Sequence, residues 1–380
     1  MKIITISYGY PSKENLYING FIHQRLKGYN KIEKNEIIFL SIKENGMPLP
    51  DDYEYEGINV KHYYIKDAIE FIKKYDPDIL LIHFYKYQYF NLIKTIKKPV
   101  IIWVHGYEAL SWKRRLFNIF KGKSFIRYIY DNTIQLKKYR EFIKYANSRD
   151  DIYFVFVSNW MKNIAFNDIG EIAKNYKVIP NYIDTDFFSF KEKMQNERKK
   201  ILLIRNFNSK KYATDIAIKA IVELSKKFNK FNELEFTIVG KGVLWKRQTA
   251  KIKHFPNITL INKFLTHKEI KKLHDNNGIF LCPTRQDSQG VSMCEAMSSG
   301  LVPITSYNTA IPEFVNEDAG YLTRNYKEIA NAIIEMYDNP EIFIEKSKNA
   351  AESIRKKANF KKTIKEEYEL MKKLINSQEV

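Results

Sequence analysis

Residues 279–306 read IFLCPTRQDSQGVSMCEAMSSGLVPITS, and the order of that stretch decides the fold. An apolar run to Cys282 is strand-sized, Pro283–Gln289 is a polar loop, and Gly290 opens a helix that stops at Ser298-Ser299-Gly300. Leu301–Thr305 reads as a second buried strand. Strands joined by a helix, with continuous apolar runs in place of alternation, indicate a parallel sheet covered on both faces. At the helix start, free amides and the helix dipole favour an anion, and Gly290 permits close approach. Asp287 lies in the loop and Glu295 about one and a half turns into the helix. The spacing supports two readings equally: carboxylates that meet a ligand's hydroxyls, or a helix cap and a satisfied buried acid.

The same pattern extends outward. Lys2–Ser7 reads as a strand, followed by a loop through Pro11 and Gly20 and a helix from Phe21 to about Lys27. Glu36–Ser41, Ile58–Tyr64, Ile79–Phe84, Val100–His105 and Tyr153–Ser158 read as strands, and Ala68–Lys74 as a helix. Lys191–Lys200, KEKMQNERKK, is almost wholly polar and reads as a linker. Beyond it Ile201–Ile204 restarts the alternation, with a helix at Thr214–Lys227 and strands at Glu235–Val239 and Ile258–Ile261. The expectation is α/β, with two Rossmann-like doubly wound domains facing each other across a cleft: residues 1–190, then 191–360, with 361–380 as a C-terminal helix. Ligands of open α/β sheets bind outside the carboxyl ends of the strands.

A chain of 380 residues suits two domains, and 44% hydrophobic with 28% charged residues excludes bulk disorder. No apolar stretch approaches the ~18–20 residues of a membrane span. The start, MKIITISYGYP, has too short an apolar run for a signal peptide, so a cytoplasmic location is expected. Cys282 and Cys294 cannot build a disulfide framework or a cysteine metal site, and the histidines show no metal spacing. Lys+Arg 63 against Asp+Glu 44 leaves +19, which draws a protein to nucleic acid, an anionic membrane surface or phosphorylated substrates. Ser111–Ala146 carries ten Lys/Arg against only Asp131 and Glu141, interleaved with nine aromatic residues. It reads either as a solvated helical face with inward aromatics or as a basic aromatic insertion that lies on anionic lipid.

The 279–306 segment resembles the E-x7-E signature of retaining GT-B glycosyltransferases, family 4 (glycosyl transferases group 1). This chain has Asp287, seven residues, Glu295-Ala296-Met297, Gly300 and Pro303. Val178-Ile179-Pro180-Asn181 with Asp184 and Phe188, Leu203-Ile204-Arg205 with Lys210-Lys211, Gly240-Lys241-Gly242, and Ile311-Pro312-Glu313 are similar to further family segments in the family's order. So are Asp76-Pro77-Asp78 through His83, His105-Gly106 and Val157-Ser158. Aspartate replaces the first glutamate, Ser288-Gln289-Gly290 replaces Gly-Phe-Gly, and Tyr182 stands where glycine is usual.

The resemblance implies transfer of a sugar from a nucleotide-diphosphate sugar to an acceptor hydroxyl, with retention, in assembly of a bacterial surface polysaccharide, lipopolysaccharide or other glycan. It implies catalytic roles for His105 and Asp287, and donor contacts from Arg205, Lys210, Lys211, Ser288, Gln289, Gly290, Val291 and Glu295. Asn19 and Gly20 would form an acceptor or diphosphate loop, and the last helix would brace the first domain. No metal or other cofactor is expected, because cationic side chains would take the metal's role. The expected partners are a nucleotide sugar, a glycan or lipid-linked acceptor and an anionic membrane surface at the inner face of the cytoplasmic membrane, with no nucleic acid. Two alternatives are a nucleotide-sugar 2-epimerase on the same scaffold and a basic nucleic-acid-binding protein. Arg285 reads either as a phosphate ligand or as the partner of an acid.

Overall fold

The computed structural model describes residues 1–13, 15 and 18–377, so the 378–380 end of the expected last helix lies outside the described residues, as does the Lys121 side chain of the basic segment. The chain forms two compact units, Met1–Leu116 with Lys121–Tyr182 and the residues from Phe360 onward, and Phe117–Phe120 with Ile183–Asn359.

The first unit is built on β1 (Lys2–Ser7), β2 (Glu36–Lys43), β3 (Tyr53–Tyr55), β4 (Ile58–Tyr64), β5 (Ile79–His83), β6 (Val100–Val104), β7 (Ile152–Phe156) and β8 (Tyr176–Val178). Their order is β3-β4-β2-β1-β5-β6-β7-β8, all neighbours parallel except the β3–β4 pair. Alternate residues of each strand enter different cores: Ile4, Ile6, Leu80 and Ile82 on one face, Ile3, Leu81, Ile101 and Trp103 on the other. That double burial is why the runs are apolar without alternation. The chain moves outward from β1 to β2 on one side and returns to β5 on the other, so the strand order reverses between β1 and β5.

Two expectations about this unit change. The first helix spans Gly20–Ile32, and Leu26 and Tyr29 carry its buried stripe well past the expected end. Ser111–Ala146 is no insertion, because its helix Lys123–Ala146 is the crossover between β6 and β7. Tyr139, Phe142, Ile143 and Ala146 are buried in the core, so the inward reading holds for that half. Only the earlier half exposes apolar side chains, among them Leu116, Ile126 and Tyr130. The helix Glu366–Asn376 lies in this unit, with Tyr368, Leu370 and Met371 in its core. Glu367, fully buried, accepts from Arg25 Nε at 2.8 Å, Tyr29 Oη at 2.5 Å and Trp103 Nε1 at 3.2 Å.

The second unit contains β9 (Lys200–Ile204), β10 (Glu235–Val239), β11 (Ile258–Ile261), β12 (Ile279–Leu281), β13 (Val302–Ser306) and β14 (Tyr321–Thr323). They form a parallel sheet ordered β11-β10-β9-β12-β13-β14, reversing between β9 and β12. Its core joins Ile201, Leu203, Ile238, Leu281 and Ile304 to the helices Thr214–Lys227 and Tyr326–Asp338. The polar 191–200 stretch, expected as a linker, lies wholly within the second unit. Lys193 is buried and donates to the His274 carbonyl at 2.6 Å, and the Glu197 carboxylate accepts from Met194 N. Lys191, Glu192, Met194, Gln195 and Asn196 are exposed, so the stretch is surface chain anchored at Lys193 and Glu197. Among the described residues no helix is long and apolar enough to cross a membrane.

Candidate functional site

In the second unit the site forms at the reversal between β9 and β12. Arg205 follows β9 directly and is 7% exposed. Its guanidinium donates to Ser292 Oγ at 2.7 Å and to the Cys282 carbonyl at 3.2 Å, and its buried Nε has no hydrogen-bond partner among the described residues. No carboxylate among them pairs with it. Ser292 is the second residue of the helix Val291–Ser298, whose first amides have no partner within the helix. A buried, unpaired guanidinium and open helix amides therefore converge on one place, which favours an anion. Gly290 precedes the helix at φ 82°, the left-handed region that glycine enters without penalty. At Gly240 a Cβ would lie 2.0 Å from the Arg205 carbonyl, so that glycine lets the loop after β10 reach the loop after β9.

The two carboxylates differ. Asp287 Oδ1 accepts from the Gly290 amide at 3.0 Å, so one oxygen caps the turn into the helix. The Glu295 carboxylate, half-buried, receives no hydrogen bond from the described residues, and burial together with the nearby Asp184 pushes it up to about 8. It is not the satisfied buried acid of the blander reading. Ser288 is half-buried and Gln289 buried, both in the loop that Asp287 holds.

Lys210 and Lys211 lie in a tight turn after β9. The Arg285 amide and the Thr284 hydroxyl donate to the Lys211 carbonyl, and the Arg285 guanidinium donates to the Lys210 carbonyl. Arg285 also grips Asp215 with two hydrogen bonds, at 2.8 and 2.7 Å, which settles it as the partner of an acid. The Lys211 ammonium stands 5.2 Å from the Tyr212 ring centroid, and the Arg205 guanidinium 5.6 Å from the same ring. Lys210 instead contributes to the field that lowers Asp215.

In the first unit His105, the expected last residue of its strand, lies one residue past the end of β6. Its Nε2 is 2.9 Å from His83 Nδ1, and burial holds both rings well below the usual histidine range, hence neutral. His83 Nε2 is buried without a partner among the described residues. A lone pair left unpartnered costs less than an orphaned N–H. His83 is therefore assigned as the Nδ1–H donor, which leaves His105 with its proton on Nδ1, a nitrogen that makes no hydrogen bond to the described residues. The His105 and Gly106 amides both donate to the Glu108 carboxylate, which burial pushes up to about 7. The residue before the first helix is Asn19, at φ 52°. Its amide donates to the Gly9 carbonyl at 2.8 Å and its oxygen accepts from Tyr8 Oη at 3.1 Å. Gly20 starts the helix, with open space where a Cβ would sit.

Sequence reading missed Ser292, Tyr212 and Glu108. A serine two residues after a helix-opening glycine was a usable signal, whereas the other two act through contacts only the fold creates. Among the described residues no cluster of three His, Cys, Asp or Glu side chains could hold a metal ion.

Residues 184–357 match the family model of glycosyl transferases group 1. The chain is 24% identical over 227 residues to the 2-deoxystreptamine N-acetyl-D-glucosaminyltransferase of Niallia circulans, a match covering 58% of this chain and 54% of that protein, so it spans about half the length of this curated relative. Among solved structures it resembles sucrose-phosphate synthase from Thermosynechococcus elongatus, with TM-score 0.74 at 13% identity over 99% of both chains. It also resembles Anabaena HepE solved with UDP and glucose, with TM-score 0.71 at 14% identity over 98% of this chain and 99% of that one. The fold is that of the GT-B glycosyltransferases.

Proposed function

We propose that this chain, which carries a glycosyl transferases group 1 domain over residues 184–357 on a GT-B fold, transfers a sugar from a nucleotide-diphosphate donor to an acceptor hydroxyl. The observation that carries the reading is Arg205, buried beside an open helix start without any carboxylate among the described residues to balance it. An anion of diphosphate chemistry supplies the missing charge. Lys211, over the same tyrosine ring as Arg205, is the better placed of the two lysines to join it. Glu295, whose carboxylate no described residue engages, takes the ribose hydroxyls, and the oxygen of Asp287 not used by Gly290 faces the donor sugar. His105 offers a neutral N–H donor to a sugar hydroxyl. Retention of configuration follows the family resemblance, and the basic residues make a divalent ion unnecessary. The similar HepE structure holds UDP and glucose, which suits a uridine nucleotide as donor.

The test is a melting-temperature screen over nucleotide sugars, followed by NMR of the product's anomeric proton. A binder stabilises the folded state by mass action. No shift with any nucleotide sugar, or activity strictly dependent on added Mn²⁺ or Mg²⁺, overturns this reading.

We further propose that the acceptor belongs to surface-glycan assembly and that the chain meets it at an anionic membrane face. Supporting this, Leu116, Ile126 and Tyr130 are exposed, with Lys113, Lys123 and Arg127 exposed close by in sequence. Each basic residue near such a leaflet contributes about 1 kcal/mol. Sedimentation with anionic but not neutral vesicles, lost at high salt and on charge reversal at 113, 123 and 127, is expected; equal behaviour with both vesicles rejects the membrane contact.

A further inference from the structure

The loop after β13 meets the loop after β12 through a residue in a costly backbone state. Thr309 holds φ 50°, and among the described residues it is the one β-branched side chain in the left-handed region. A branched Cβ is crowded there, where glycine or asparagine enters more easily. Such a conformation persists only where its surroundings over-determine it, and at Thr309 the hydroxyl shows what it serves. Its Oγ1 accepts from the Asp287 amide at 3.1 Å and donates to Asn308 Oδ1 at 3.3 Å.

The neighbouring residues complete the grip. The Ala310 amide donates to the Asp287 carbonyl at 3.3 Å, and Asn308 Nδ2 donates to the Thr284 carbonyl at 2.8 Å. The main chain of Asp287 is thus held on both sides, its N–H by a hydroxyl and its C=O by an amide. Asp287 Oδ1 accepts from the Gly290 amide at 3.0 Å, so the direction of the second carboxylate oxygen follows from where the main chain is fixed. The Ala310 and Asn308 contacts do not use the side chain at 309. The contact to the Asp287 amide does, and it needs a hydroxyl.

We infer that Thr309 is a positioning residue: its hydroxyl fixes the Asp287 main chain so that the second carboxylate oxygen is aimed at the donor sugar. The inference rests on the transfer reading for what that oxygen meets, whereas the hold on Asp287 does not depend on it.

Hydrogen exchange of the 283–290 segment, melting temperature and steady-state turnover of Thr309→Gly and Thr309→Ser test it together. The donor is whichever of UDP-glucose, UDP-galactose and UDP-N-acetylglucosamine most raises the wild-type melting temperature. Thr309→Gly relieves the backbone but removes the hydroxyl, so its melting temperature should hold or rise. Its 283–290 segment should nevertheless exchange about tenfold faster and its kcat fall about tenfold, with the donor KM changed less than about twofold. A merely structural role would move stability and turnover in the same direction. Thr309→Ser, which keeps the hydroxyl, should stay near wild type in exchange and kcat. In Asp287→Asn/Thr309→Gly, kcat should fall no further than in Asp287→Asn alone, because Thr309 acts through that carboxylate. Unchanged exchange in Thr309→Gly, equal losses in the Gly and Ser variants, or additive losses in the double variant overturns the inference. A wild-type protein that transfers no sugar rejects the transfer reading instead, and the exchange data still decide whether Thr309 holds Asp287.

Discussion

Two buried arginines, one in each unit, hold opposite electrostatic positions. Arg25 is fully buried and meets Glu367, itself fully buried, with Asn181 accepting a further hydrogen bond at 3.3 Å. Arg205 is nearly as buried, yet among the described residues it pairs with no carboxylate and donates to the Ser292 hydroxyl and the Cys282 carbonyl. Both lie near the strand-order reversal of a parallel sheet, so topology does not separate them. The difference is the carboxylate. A paired charge is compensated within the fold, whereas an unpaired one carries a desolvation cost that a bound anion relieves. The same contrast sets the chemistry of the two strand-end sites: neutral and aromatic around His105, cationic with open amides around Arg205.

The sharpest way to break the contrast is to unpair Arg25. Glu367→Ala leaves a buried guanidinium uncompensated and should destabilise the first unit by about 3–5 kcal/mol in urea unfolding. A loss below about 1 kcal/mol would mean that water reaches the pair.

The matching change in the second unit should act on activity. Arg205→Met removes the unpaired charge and should lower turnover by about 10²–10³-fold, with melting temperature unchanged or raised. Turnover near wild type would remove Arg205 from the anion site.

Glu295 sharpens the comparison through pH. Its carboxyl, pushed up to about 8, keeps its proton in the folded state over a range where the unfolded chain has lost it. Stability should therefore fall as pH rises from about 4.5 to about 8. Glu295→Gln should flatten that slope and raise the melting temperature above pH 8, while weakening donor binding by about 1.5–3 kcal/mol. Parallel stability profiles of the two proteins would contradict the assignment.

The smallest effect belongs to His83, which touches His105 and acts through it. His83→Phe should reduce turnover about tenfold through the lost hydrogen bond to the imidazole, a change of about 1.4 kcal/mol. Donor affinity should hold, and His83→Gln, whose side-chain amide can still donate to His105 Nε2, should recover most of the lost turnover. Equal loss in the Phe and Gln variants would make His83 a packing residue only.

Sequence alone determined the alternation of buried strands and helices, because double burial writes itself as uninterrupted apolar runs. It also determined the 279–306 segment, since strand, loop, glycine and helix there are consecutive. That is why Asp287, Gly290 and Glu295 stand out in the sequence by themselves. Only tertiary structure decided what depends on distant residues. Arg285 stays ambiguous until Asp215, 70 positions away, takes it. Glu367 is 342 positions from Arg25, and no local pattern signals that pairing. The basic segment 111–146 misleads because composition cannot tell a crossover helix from a surface one; burial of Tyr139 and Phe142 does. Local periodicity records which way a backbone faces, whereas charge compensation is a property of what folding brings alongside.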